Sequence, residues 1–217
     1  MKRLFFLVAL ISLAATPAFA QTRSVDLTGW VVWADPTGDN DFSDVEDAED
    51  FETEFESEQG FGIAVNAFFT NTISVEFAAS VMEPDLTLRS TDPELDEGTI
   101  GSLEMIPVTA TLQFHFNPDG RLDPYIGGGV AYVLFDQVES DELRDIDIES
   151  IDFDDDYGFV ANAGLSFDIT PTFAVNLDAK YVPVSSPARA VIGGTESDEM
   201  EFDINPLILA AGLSMQF

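Results

Sequence analysis

The stretch that decides the fold is Met200–Phe217, which reads MEFDINPLILAAGLSMQF. Over its last twelve positions, apolar side chains recur at every second residue: Leu207, Leu209, Ala211, Leu213, Met215 and Phe217. Because successive side chains of a strand point to opposite faces, this period of two predicts a β-strand. An apolar face that ends on an aromatic residue is typical of the strand that closes a bacterial outer-membrane barrel. The edge strand of a soluble β-sandwich shows the same pattern, so this stretch alone leaves both folds open.

Seven earlier segments alternate in the same way, and acidic blocks separate them in pairs. The alternating segments span residues 25–34, 61–69, 73–82, 106–116, 125–135, 157–167 and 173–182. Of the 41 acidic residues, 35 fall in four blocks, at residues 35–59, 83–104, 136–156 and 196–203. A sandwich would not need four long acidic loops at one end. We therefore expect an all-β fold: an eight-stranded antiparallel transmembrane β-barrel with short periplasmic turns and long acidic extracellular loops.

The first twenty residues have the features of a signal peptide. Lys2 and Arg3 precede an apolar run, Leu4–Ala15, that is too short to cross a bilayer as a helix. Residues 18–20 have the small-x-small pattern of a cleavage site. We expect residues 1–20 to be the signal peptide and residues 21–217 to be one barrel domain in the outer membrane of a Gram-negative-type bacterium.

The charge balance limits the partners that the chain can have. Eight basic residues face 41 acidic ones, giving a net charge of −33, which excludes nucleic acid on electrostatic grounds. The expected partners are outer-membrane lipid and lipopolysaccharide, together with the barrel-assembly machinery, which would engage the closing strand at Phe217. The acidic loops could bind calcium or bridge lipopolysaccharide through divalent ions, and Asp152–Asp156 is the densest candidate. Because this run lacks the spacing of an EF-hand, we expect instead a solvated surface with no metal site, and we expect no cofactor.

Two charged residues in the seventh segment fix which face of the barrel wall is the inner one. A shift by one residue would turn Asp178 and Lys180 towards lipid, where a basic residue at the midplane costs about 2–4 kcal/mol. The polar set must therefore face the lumen, and it defines the candidate lumen-lining residues: Trp30, Asn66, Glu76, Gln113, Asn162, Asn176, Asp178 and Lys180. Eight strands enclose room for side chains or for one small ligand.

The sequence leaves open whether this lumen is plugged or partly open. In a plugged lumen, Lys180 would pair with Asp178 or Glu76. An open tunnel is favoured by Gly127, Gly129 and Ala131, which remove bulk from one wall. The same glycines would also serve a strand bend or a close approach of two backbones.

Three regions of the chain resemble the OmpW family of outer-membrane proteins. Leu112–Gly120 (LQFHFNPDG) and Asp123–Tyr132 (DPYIGGGVAY) resemble its central motif, Phe173–Tyr181 its seventh strand, and Asp203–Leu207 with Phe217 its last strand. The resemblance implies a narrow, largely apolar lumen. It also implies passive uptake of small hydrophobic molecules, with lateral exit into the bilayer. The alternative is a structural barrel that presents its surface loops, for adhesion or envelope integrity, and has a plugged lumen without transport.

Prolines collect near the loop-side ends of the predicted strands, at Pro107, Pro183 and Pro206. Each removes one donor from the hydrogen-bond ladder. They therefore either end the strands or weaken the wall where an apolar molecule could leave.

The sequence does not favour an enzyme. His115 is the one histidine of the chain, and it lies two residues before a predicted periplasmic turn, Asn117–Gly120. No nucleophile stands near it in sequence. A serine and an acid that met His115 in space would reopen the question.

Overall fold

A computed structural model describes residues 24–37, 40–41, 51–90, 98–136, 148–192, 195–196 and 200–217. The predicted signal peptide, residues 1–20, lies outside the described residues. The strands within them are β1 (Val25–Pro36), β2 (Asn40–Asp41), β3 (Phe51–Phe55), β4 (Glu58–Thr70), β5 (Ile73–Val81), β6 (Asp85–Ser90), β7 (Gly98–Ser102), β8 (Met105–His115), β9 (Leu122–Phe135), β10 (Ile148–Phe153), β11 (Asp156–Asp168), β12 (Phe173–Tyr181), β13 (Ser185–Ile192), β14 (Thr195–Glu196), β15 (Met200–Asp203) and β16 (Pro206–Gln216). The described part of the chain contains no helix that is long and apolar enough to cross a membrane.

Eight of these strands close into an antiparallel barrel, in the order β1-β16-β12-β11-β9-β8-β5-β4. The closing strand β16 pairs with β1 over eleven residues, from Asp26↔Gln216 to Pro36↔Pro206. Phe217 extends this seam, because its N–H donates to Val25 O at 2.9 Å and its carbonyl accepts from Ser24 N–H at 2.9 Å. The predicted eight-stranded barrel is confirmed, and the sandwich is excluded.

The wall is apolar outside and polar inside, the reverse of a soluble protein. Along β1, Asp26 and Trp30 are buried, whereas Leu27 is 47% exposed. Phe61 and Phe159, on other strands, are 74% and 77% exposed. Lipid provides the apolar environment for these outer side chains, and the closed ladder satisfies the backbone inside the bilayer.

Three tight links close the turn end of the barrel. Two of them share one device: Thr70 Oγ1 and Thr170 Oγ1 each accept hydrogen bonds from the backbone N–H groups two and three residues later. In the third, Asn117 O accepts from Gly120 N–H at 3.0 Å. Such side-chain and backbone bonds replace the ladder where the chain reverses.

Parts of the acidic segments, predicted as loops, form additional strands. They make two small sheets, β2-β3-β6-β7 and β10-β13-β14, with β15 paired to β13. Alternation is weak in these segments because acidic residues interrupt it, so these strands could not be predicted from periodicity.

An apolar cap lies at the loop end of the lumen. It consists of Leu103, Met105, Phe153, Phe202 and Ile204, each at most 7% exposed. The Phe153 and Phe202 rings meet edge to face at 5.4 Å between centroids. The cap belongs to the same buried cluster as the inner apolar residues of the barrel, so apolar side chains predominate in the loop half of the lumen, with Thr109 and Ser186 among the buried polar ones.

Candidate functional site

The eight predicted lumen-lining residues all lie on the inner face of the barrel, and none is more than 8% exposed. They reach the lumen because each occupies an inward position of its strand: Trp30 on β1, Asn66 on β4, Glu76 on β5, Gln113 on β8, Asn162 on β11, and Asn176, Asp178 and Lys180 on β12. The strand period alone placed them there, since every second residue points inwards.

An ion cluster, formed by Lys180, Asp178 and Glu76, crosses the lumen. Lys180 Nζ lies 2.6 Å from Asp178 Oδ1 and 3.0 Å from Glu76 Oε1, on the strand β5 across the barrel. Asp178 Oδ2 accepts hydrogen bonds from Tyr125 OH at 2.8 Å and from Asn162 Nδ2 at 3.0 Å. Lys180 thus pairs with both candidate partners. One ammonium between two carboxylates leaves the cluster with a net negative charge.

Below the ion cluster, towards the turn end, the lumen is polar. Asn66 Nδ2 donates to Gln113 Oε1 at 2.8 Å. Several buried polar atoms here have no protein partner within the described residues, among them Gln113 Nε2, Asn162 Oδ1 and Ser166 Oγ. A lower cavity of about 20 Å³ lies among these side chains. It has room for water, which can supply hydrogen bonds to such atoms.

At the turn end, His115 meets a serine and an acid. His115 Nε2 lies 3.0 Å from Ser74 Oγ, and Nδ1 lies 2.7 Å from Asp123 Oδ2. The same carboxylate accepts from Asn117 N–H at 3.0 Å through Oδ1. The order of groups is that of a nucleophile, its base and an orienting acid. This arrangement could not be predicted from the sequence, because the three residues lie on three strands and only the register of β5 on β8 brings Ser74 beside His115.

The serine of this arrangement is closed to substrates, although His115 lines the lower cavity. Ser74 is 0% exposed and lines neither the lower cavity nor the upper one described below. The Phe68 ring lies 4.9 Å from the His115 ring, and the Tyr125 ring lies 5.3 Å from it. The geometry supports a structural clasp that joins β5, β8 and the start of β9 at the turn end of the barrel.

Above the ion cluster lies an upper cavity of about 30 Å³. Its lining is mainly apolar, and it includes Trp30, Val32, Ser80, Pro107, Thr109 and Lys180. Lys180 lines this upper cavity whereas its partner Glu76 lines the lower one, so their contact separates the two. The Trp30 ring lies at the same boundary, 5.7 Å from Lys180 Nζ.

Pro107 and Ser80 lie where the wall beside the upper cavity is interrupted. The register of β5 on β8 runs from Ile73↔Phe114 to Ala79↔Val108 and returns only as the single bridge Met82↔Met105. Pro107 has no N–H with which to continue the ladder. The seam between β5 and β8 is therefore weakest at the level of the upper cavity.

The other two predicted prolines have different surroundings. Pro206 lies in a paired wall, since it is opposite Pro36 and its carbonyl accepts from Val182 N–H at 3.1 Å. Pro183 lies just beyond the end of the β11–β12 register at Ala161↔Tyr181. Of the three, Pro107 is the one that combines an interrupted ladder with the lumen cavity.

The glycines of β9 serve a close approach of strands and do not open the lumen. A Cβ atom on Gly129 would collide with the backbone oxygen of Ala110 on β8, and one on Gly127 would collide with the Asn162 side chain. Ala131, two residues further, is 2% exposed in the apolar cluster. The cavity wall proposed for this strand is thus filled by neighbouring atoms.

The acidic run near β10 is engaged in protein contacts. Asp154 pairs with Arg189 at 3.0 Å, and Asp155 accepts from Tyr132 OH and from Phe135 N–H, each at 3.0 Å. Among the residues that the structure describes, no group of histidine, aspartate and glutamate side chains is arranged to hold a metal ion.

Comparisons with known proteins agree with this architecture. The model of the OmpW family matches residues 29–217. Outer membrane protein AlkL of Ectopseudomonas oleovorans is 28% identical over 120 residues, which is 55% of this chain and 50% of that protein. Outer membrane protein W of Escherichia coli (strain K12) is 24% identical over 155 residues, 70% of each chain. The chain thus spans about half the length of AlkL.

A solved structure shows the same fold. The crystal structure of the outer membrane protein OprG from Pseudomonas aeruginosa superposes with a TM-score of 0.75 and 16% identity, covering 91% of this chain and 97% of that one.

Proposed function

Because the chain belongs to the OmpW family of outer-membrane β-barrels, we propose that it takes up small hydrophobic molecules passively. The solute enters the loop half of the lumen and leaves sideways into the bilayer between β5 and β8. At rest the upper cavity, about 30 Å³, has room for about one water, so a solute must part the surrounding side chains as it passes. One observation carries this proposal: the ion cluster closes the upper cavity from below, while Ser80 and Pro107 line its side at the interrupted seam.

The ion cluster opposes passage along the barrel axis. An apolar solute that moved past Lys180 would have to separate it from Glu76 without offering a replacement partner. Breaking a buried ion pair in this way costs about 3–5 kcal/mol. Below the cluster the solute would meet the polar lower cavity, where it could not replace the hydrogen bonds of Asn66 and Gln113. The axial route therefore suits an apolar molecule poorly.

The lateral route requires less. The ladder between β5 and β8 is already interrupted beside the upper cavity, where Pro107 lacks a donor, so fewer backbone hydrogen bonds have to be broken there. By contrast, the β1–β16 seam is continuous over its whole register. The outer side of the weak seam is apolar, since Val81 is 43% exposed and faces the lipid. Movement of the solute from cavity to bilayer thus keeps it in apolar surroundings.

Locking the weak seam with a disulfide tests the exit route. Val81 and Ile106 lie opposite each other if the β5–β8 register is continued, within reach of a disulfide between cysteines. We expect Val81→Cys/Ile106→Cys in proteoliposomes to lose uptake of n-octane when oxidised and to regain it on reduction. Val31→Cys/Ala211→Cys, on the continuous β1–β16 seam, is the matched control and should transport in both states.

Two outcomes would contradict the proposal in different ways. Undiminished uptake through the oxidised Val81→Cys/Ile106→Cys barrel would exclude this seam as the exit. Wild-type uptake no higher than that of protein-free liposomes would exclude transport of the solute altogether.

A structural barrel without transport is the second candidate, and the apolar cap favours it. Five buried side chains, Leu103, Met105, Phe153, Phe202 and Ile204, close the loop end, so a solute must displace them to enter. The absence of flux in the wild-type assay would select this function.

A further inference from the structure

Two residues that line the upper cavity carry hydrogen-bonding atoms that uptake of hydrocarbons does not explain. Thr109 lines this cavity and is 4% exposed, and Trp30, at the boundary, lines both cavities and is 7% exposed. Neither Trp30 Nε1 nor Thr109 Oγ1 has a protein partner within the described residues. A buried polar group without a partner costs about 1–3 kcal/mol. At rest a water can bond to such atoms, because the cavity of about 30 Å³ has room for one. A solute that displaces this water must replace its hydrogen bonds, which a plain hydrocarbon cannot do.

The hydrogen-bonding groups of Trp30 and Thr109 determine which hydrogen-bonding group the occupant must carry. The indole N–H of Trp30 can only donate, and the hydroxyl of Thr109 can donate or accept. One oxygen with two lone pairs can satisfy both. The rest of the cavity is lined by side chains such as Val32, Ala78 and Ile208, which suit a hydrocarbon body.

The ion cluster excludes a charged oxygen. Lys180 already holds Asp178 at 2.6 Å and Glu76 at 3.0 Å, so the cluster below the cavity carries one more negative charge than positive. A carboxylate solute would add a third negative charge at this site, in surroundings that water screens weakly. The cavity therefore disfavours an ionised acid of the same length.

We infer that the preferred solute is a neutral apolar molecule with one accepting oxygen, such as a ketone, aldehyde, ester or alcohol, bound by Trp30 Nε1 and Thr109 Oγ1. This inference rests on the proposed function, because it names the class of solute that the same cavity takes. It distinguishes oxygenated from plain hydrocarbons, and neutral from acidic ones.

Uptake of three solutes of matched length tests the inference: n-octane, 2-octanone and octanoate, each measured in proteoliposomes and divided by uptake into protein-free liposomes. We expect 2-octanone to exceed n-octane by about three- to tenfold for each hydrogen bond formed, and octanoate to fall below both. Thr109→Val keeps the shape of the side chain and removes its hydroxyl. It should lower the ratio of 2-octanone to n-octane by about three- to tenfold.

Thr111→Val is the matched control. Thr111 lies two residues along the same inner face of β8, its Oγ1 also has no partner within the described residues, and it does not line the upper cavity. The control should keep the wild-type ratio, which separates a general effect of losing a buried hydroxyl from an effect at the cavity. Trp30→Phe, which removes the indole N–H, provides a second test of the ratio.

The possible failures are distinguishable. If the wild type transports n-octane and 2-octanone equally, or if Thr109→Val keeps the wild-type ratio, the inference is wrong and the uptake function stands. If neither solute enters faster than into protein-free liposomes, the uptake function fails and the inference fails with it.

Discussion

Replacing Lys180 by methionine should destabilise the barrel more than the same replacement of any exposed cationic residue. The side chain keeps its approximate length but loses the ammonium that lies 2.6 Å from Asp178 Oδ1 and 3.0 Å from Glu76 Oε1. Both carboxylates then remain buried without their cation. Removing one partner of a buried ion pair costs about 3–5 kcal/mol, because the remaining charge cannot be solvated. Asp178 still has the hydroxyl of Tyr125, so we expect the cost to fall mainly on Glu76.

Urea unfolding of the refolded barrel in lipid vesicles measures this cost. With a denaturant slope of about 2 kcal/mol per M, a loss of about 4 kcal/mol lowers the midpoint by about 2 M. The double variant Lys180→Met/Glu76→Gln should recover a large part of the loss, because it removes the charge that the single variant leaves alone. Arg121→Met is the matched control: Arg121 is exposed at the turn end, over the Phe167 ring, and its removal should change the midpoint little.

The reasoning would be refuted by a Lys180→Met barrel that unfolds at the wild-type midpoint. It would also be refuted if Glu76→Gln gave no recovery in the double variant, since the destabilisation would then come from lost packing and not from an isolated carboxylate.

Two further predictions concern the β8–β9 region. His115→Ala removes the bridge between Ser74 and Asp123. It should lower the free energy of unfolding by about 1–3 kcal/mol, measured by the same urea titration. If a fluorophosphonate labelled Ser74 in the wild type, Ser74 would instead be an accessible nucleophile. Gly129→Val places a side chain against the Ala110 oxygen and should prevent folding. The loss of folded protein would be seen as loss of the heat-modifiable band in unheated gels. A folded Gly129→Val barrel would show that β8 and β9 can separate enough to accept the side chain.

The strands and their faces could be predicted from the sequence because strand alternation is a local property. Each of the eight segments carries its own period of two, and a single residue such as Lys180 is enough to decide which face is the inner one. The alternation over the last twelve residues identified the closing strand, Pro206–Gln216, and the seam that it forms with β1 follows directly from barrel closure. The first part of the opening stretch, Met200–Asp203, instead forms β15, which pairs with β13.

Contacts across the lumen could not be predicted in the same way. Whether Lys180 meets Asp178, Glu76 or both depends on the stagger of strands that are far apart in sequence. The contact of Ser74, His115 and Asp123 likewise depends on the strand register, although the alternation places all three side chains on the inner face. The interpretation of Gly129 as a source of open space was wrong for a related reason: removing a side chain makes a cavity only if the neighbouring strand does not move in, and here the backbone of Ala110 occupies that space.

The position of the ion cluster gives the interruption at Pro107 its functional meaning. A weak seam next to the polar lower cavity would admit lipid to unsatisfied polar groups and would serve no apolar solute. Here the weak seam lies beside the apolar upper cavity, and Lys180 and Glu76 lie immediately below it. Pro206 also lacks an N–H, but the strand register extends to it: it lies opposite Pro36, and its carbonyl still accepts from Val182 N–H. A solute in the upper cavity therefore meets both the barrier to axial passage and the weak seam of the wall. For this reason we assign the exit to the seam at Pro107 and not to Pro206 in the closing strand.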